Sequence, residues 1–257
     1  MASRTTNASP LAYAITLGTA LLIGFAGFGV GTLFSIAVVG VLGLVGVDVF
    51  AQPILLTVIG VITLQGLGFG TVALFYLTTR EEGFDFLMLS LPDLRDLIWI
   101  AAGLITLFGT LIVVNLVQTT FGIESADHSL QALGAETPEL LLILVPFSLL
   151  LVGPGEELLF RGVIQQLLRN RFGVTVGIAL ASIIFAVAHV GALTDEGLLA
   201  TLLTYVALSI VLGVSYEYSE NLVVPAVIHG LFNAIQFLIL YWAITSGGEE
   251  ALALLLL

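Results

Sequence analysis

GPGEELLFRG, residues 153–162, places two adjacent carboxylates and an arginine inside a long apolar run. Working outward, apolar character covers about 139–170 and recurs at about 11–46, 53–78, 97–117, 173–190, 198–215 and 222–243. About 20 apolar residues suffice for a helix to cross a hydrocarbon core of about 30 Å. A transmembrane barrel would show short alternating strands, and none of these runs alternates. The expectation is an all-α, polytopic membrane protein of about seven to eight transmembrane helices, kinked in the helix that carries residues 153–162.

Composition agrees. Of 257 residues, 59% are hydrophobic and 9% charged, against roughly 45–50% apolar in soluble domains. Mean hydropathy is +1.17. So apolar a chain leaves no room for a separate soluble domain. The absence of cysteine excludes disulfides, thiolate metal sites and a cysteine nucleophile. A net charge of −12 argues against nucleic acid as a partner and leaves the lipid bilayer as the main environment.

The N-terminus carries Arg4 and then apolar sequence, as a signal peptide does. The apolar character continues far past a 7–15-residue signal core, so it reads as a retained first span. That span is long, and its GFAGFGVG stretch (24–31) is either a close-packing face or a break. One long tilted helix is the preferred reading. With the N-terminus in the cytoplasm and one crossing per segment, Arg80, Arg95, Arg169 and Arg171 share the cytoplasmic side with Arg4. The loop of 118–138, with Glu124, Asp127, Glu136 and Glu139, then lies outside with Asp195 and Glu196, as the positive-inside bias asks. That loop is polar, with room for one short surface helix, and its His128 reads as solvated. LPDLRDL (91–97) reads as an interfacial turn into the third segment. The closing LALLLL is too short to span.

An ionisable group within a membrane helix costs several kcal/mol and marks a functional site by default. Here such groups cluster in the second half: Glu156, Glu157 and Arg161, then His189, then His229 with Asn233. Proline removes a backbone donor and clashes with the preceding turn, so Gly153-Pro154-Gly155 is expected to interrupt the helix. Glu156 and Glu157 would then occupy the first turn of a new one, at its positive end. Glu157 and Arg161 are four apart and suited to pair. Glu156 lies about 100° around the helix and points elsewhere. A buried ion-pair network that only locks helices together is the structural alternative. His189 and His229 alone could equally be helix-end or interhelical hydrogen-bonding residues. By rise per residue, His189 lies about 27 Å from Arg171, but His229 only about 12 Å from Asn221. Tilt or a buried loop must close that difference.

EELLFR (156–161), FAVAH (185–189) and HGLFN (229–233) together resemble the motifs of the CPBP family, also called Abi or type II CAAX prenyl proteases, which are intramembrane peptidases. The resemblance covers roughly residues 139–243. It implies a catalytic membrane core at 139–243, preceded by N-terminal membrane helices and outer loop (1–138) and followed by a short tail (244–257). It implies Glu156 as the catalytic carboxylate on the kinked helix, completed by His189, His229 and Asn233, with Glu157 and Arg161 in support. Peptide hydrolysis needs a base for water and donors for the oxyanion. Glu156 suits the first role, and His229 with Asn233 suits the second.

Cofactor use stays open. His189 and His229 with a carboxylate are an acceptable zinc set, water being the fourth ligand. No H-E-x-x-H is present, and glutamate chemistry without metal serves equally. The expected partner is a peptide or protein substrate at the membrane, prenylated or not. The alternatives are a non-catalytic binding or bacteriocin-immunity-type protein using the same pocket, and a proton-relay transporter. The transporter reading is weakened because the N-terminal half has no counterpart to GPGEE.

Overall fold

The structure, a computed structural model, describes residues 9–80, 83–194 and 196–246. Arg4, Asp195 and the closing LALLLL lie outside them. Eight helices follow in order: α1 Pro10–Leu44, α2 Pro53–Thr79, α3 Leu94–Phe121, the short α4 Ser129–Glu136, α5 Glu139–Phe172, α6 Val174–Ala188, α7 Leu198–Ser219 and α8 Val223–Ser246. All but α4 belong to segments long and apolar enough to cross a bilayer. This is an all-α polytopic membrane protein. Outward-facing side chains such as Phe25, Leu33, Phe75, Ile105 and Leu150 are exposed and apolar, as lipid contact requires.

Lipid is as apolar as leucine, so helices associate in it by close packing rather than by expelling water. The buried residues of α1 are accordingly small: Thr16, Ala20, Gly24, Gly27 and Gly31, with Ile23 the one larger. The 24–31 stretch is therefore a packing face, and α1 runs unbroken as one 35-residue helix. Two apolar cores result. One joins α1, α2, α5 and α6 around Phe69, Leu159, Phe160 and Ile164. The other joins α3, α7 and α8 around Leu107, Leu111, Leu208, Leu212 and Ile228.

The expected break at Gly153-Pro154-Gly155 does not occur. Backbone angles are right-handed helical at Phe147, Ser148, Val152, Gly153, Glu157 and Leu158. The turns Ser148–Val152 and Leu158–Gln165 widen instead to π geometry. A widened turn accommodates a proline ring and its missing donor without ending the helix. No helix N-terminus therefore sits beneath Glu156 and Glu157, and the dipole argument for them fails. The two glycines serve contact instead. A Cβ on Gly155 would overlap the carbonyl of Gln65 on α2, and one on Gly153 would overlap the backbone of α8 at Ala226 and Gly230. Three helices meet there almost backbone to backbone.

The depth mismatch closes through a buried loop. In the turn from α7 to α8 Ser219, Asn221 and Leu222 are at most 5% exposed, and Glu220 faces outward. Asn221 Nδ2 donates to Asp96 Oδ2 at 2.8 Å, Ser90 N donates to Asn221 Oδ1 at 3.3 Å, and Leu222 N donates to Met88 O at 2.9 Å. The segment before α3 thus covers the start of α8. Asp93 caps α3 by a reciprocal box with Asp96.

Candidate active site

Glu157 is the fixed point of the site. Its Oε2 lies 3.1 Å from Arg161 Nε, and both side chains are fully buried. Its Oε1 accepts from His229 Nδ1 at 2.8 Å. One carboxylate thus orients both an arginine on its own helix and a histidine on α8. Arg161 reaches Ser209 Oγ on α7 at 3.2 Å and lies over the Phe185 ring at 4.9 Å. A buried ion is tolerated only with such a set of partners.

Phe185 explains its own motif. Its ring contacts Arg161, Phe160, His189 and His229. Its carbonyl accepts from His189 Nδ1 at 2.8 Å. With Nδ1 engaged by an acceptor in both rings, each histidine turns Nε2 toward Glu156. The two Nε2 atoms lie 3.9 Å (His189) and 4.0 Å (His229) from Glu156 Oε2. That oxygen is buried and has no hydrogen-bond partner among the described residues. The other, Oε1, accepts a long 3.5 Å bond from Gln65 Nε2.

These groups face a cavity of about 320 Å³, apolar for the most part, that also receives Asn233, Gln236 and Tyr205. Asn233 is half-buried one turn beyond His229 and lines the same space. All six residues singled out from the motifs therefore converge: three around the unpartnered oxygen, two beneath it and one on the wall.

Three further lining residues had no motif to announce them. Gln65 is a lone amide in the apolar run VITLQGLGFG, and its polarity was the only available signal. Tyr205 packs edge-on against His189 at 5.1 Å. His128, expected to be solvated, instead lines the cavity half-buried. Its Nδ1 accepts from Leu130 N at 3.1 Å, and burial, then the nearby His189, pulls its pKa down to about 4.

The fit to a metal is poor. Among the described residues no three His, Asp or Glu side chains are grouped to ligate one ion. Glu157, the second carboxylate, is committed to Arg161 and His229.

Residues 138–235 match the family model described as type II CAAX prenyl endopeptidase Rce1-like. The region that builds the site is thus similar to that family, in agreement with the three motifs. The uncharacterized protein YpbD of Bacillus subtilis (strain 168) is 38% identical over 89 residues, 35% of this chain and 41% of that protein. The chain thus spans about two fifths of the length of that relative. No solved structure matches the chain.

Proposed function

We propose that the protein is an intramembrane endopeptidase that hydrolyses a peptide bond near or within the membrane, using water activated by Glu156. The observation that carries this reading is the unpartnered Glu156 Oε2, about 4 Å from two histidine Nε2 atoms in a largely apolar cavity. A gap of that size between polar atoms suits one water. His189, its Nδ1–H given to Phe185, accepts from that water at Nε2. Glu156 takes the other water proton while the oxygen attacks the scissile carbonyl carbon. The developing oxyanion is met by the Asn233 amide and by Nε2–H of a doubly protonated His229, whose Nδ1–H is held by Glu157. Glu156 then returns its proton to the departing amine as the carbon–nitrogen bond breaks, acting as base and then as acid. Glu157 and Arg161 brace the site without touching substrate.

The test uses purified full-length protein with a mixed library of prenylated and plain peptides, products being read by mass spectrometry. Glu156→Gln keeps the shape and removes the base, so cleavage should fall about 10²–10⁴-fold. A strong chelator should leave wild-type cleavage unchanged. Equal product from wild type and Glu156→Gln, or none from either, refutes the peptidase and favours a binding or immunity role for the pocket. Cleavage lost to the chelator and restored by zinc refutes the metal-free route alone.

A further inference from the structure

The loop between α3 and α4 lies outside the matched region 138–235, yet it is built into the cavity wall. Ala126 N donates to Thr201 Oγ1 at 2.8 Å, and Asp127 N donates to Thr194 Oγ1 at 3.0 Å. Thr194 N returns a bond to Asp127 O at 3.1 Å, and Ser125 Oγ donates to Gln118 Oε1 at 3.0 Å. Gly197, at φ +70°, lies so close to the Ser125–Ala126 backbone that a Cβ would overlap it. The loop is thus stapled to the start of α7, and His128 comes directly after the staple.

The His128 ring is committed at one nitrogen only. Nδ1 accepts from Leu130 N and so carries no proton, which leaves the proton of the neutral ring on Nε2. Burial and His189 together keep the ring neutral at physiological pH. Among the described residues Nε2–H has no hydrogen-bond partner, while the side chain lines the cavity that holds Glu156 and His189. A stapled, neutral donor in an apolar chamber suits a neutral acceptor. A peptide offers one at every backbone carbonyl.

We propose that His128 is a substrate-positioning residue whose Nε2–H donates to a backbone carbonyl oxygen of the bound peptide, beside the bond presented to Glu156. This rests on the peptidase reading. It adds to the site a residue from the N-terminal half, and makes the outer loop part of substrate recognition.

Three variants separate donation from helix capping, the other role open to His128. His128→Leu removes both. His128→Asn keeps a short cap oxygen but is too short to place a donor at the Nε2 position. His128→Gln restores a donor at that reach and is a poor cap. The probe is the peptide most rapidly cleaved in the mixed library, with melting temperature measured alongside.

Positioning predicts KM raised about three- to tenfold in Leu and Asn, kcat within about twofold, and KM near wild type in Gln. Rescue by Asn rather than Gln, equal KM in all three variants, or a fall in kcat alone overturns the proposal. Should His128→Leu fail to fold, His128→Asn against His128→Gln still decides. A wild type that cleaves nothing in the library overturns the peptidase reading, and this inference with it. Cleavage that shows one of the adverse patterns overturns the inference alone.

Discussion

Arg161 is among the largest fully buried side chains of the described residues, and most of it is answered by one helix turn and two neighbours, while its Nη1 has no hydrogen-bond partner among those residues. Glu157 takes its Nε, Ser209 one of its two terminal nitrogens and Phe185 its flat face. Removing one member of such a set strands the other charge in a dry interior, at a cost of about 3–5 kcal/mol. Arg161→Met should therefore lower the melting temperature in detergent by roughly 6–20 °C. Adding Glu157→Gln to it should recover part of that loss, since the stranded carboxylate goes too. Glu156 is of opposite character, because its Oε2 has no hydrogen-bond partner among the described residues. Glu156→Gln should leave the melting temperature unchanged or raise it, so lost cleavage in that variant is a chemical effect.

At the scale of elements, α5 gains its function from how closely others approach it. Gly153 admits the backbone of α8 and Gly155 that of α2, which brings His229 and Gln65 to the two faces of the Glu156–Glu157 turn. Gly155→Ala should force α2 away from Glu156, destabilise by about 1–3 kcal/mol, and reduce cleavage, read by melting temperature and by product formation. Gly109 on α3 is the control. It meets open space, so Gly109→Ala should stabilise by up to about 1 kcal/mol and leave cleavage unchanged. The same scale shows how α8 is anchored: it starts from a turn in which Asn221 donates to Asp96.

Across the whole molecule, one end gathers the arginines. Arg95 donates to the carbonyl of Tyr218, and Arg169 lies 3.0 Å from Glu217, tying the ends of α3, α5 and α7 together. Arg80 joins them from the end of α2 by connectivity. Glu124, Asp127, Glu136 and Glu139 belong to the connections at the other end. We propose that the arginine end is cytoplasmic, by the positive-inside bias. The chain has no cysteine, so single cysteines report topology without background. A membrane-impermeant thiol reagent added to intact cells should label Glu124→Cys and spare Asn170→Cys, and the reverse pattern would invert the orientation.

Span number, span limits and the Glu157–Arg161 pair were legible in the sequence because each depends on neighbours along the chain. Hydrocarbon acts as a uniform solvent on contiguous residues, and a helix brings i and i+4 together wherever it lies. The two carboxylates could be told apart for the same reason, being about 100° apart on one helix. The path of the backbone through Gly153-Pro154-Gly155 could not be read locally. Proline in isolation ends a helix, but here a π turn carries the helix through, because α2 and α8 pack against its glycines and hold it. The second partner of Glu157, the hold of Gln65 on Glu156 and the place of His128 in the cavity all link residues far apart along the chain. Hydropathy and spacing carry no information about such pairs. They exist only once the helices have chosen their neighbours, and that choice was made by close packing of small residues in lipid, not by any pattern along the chain.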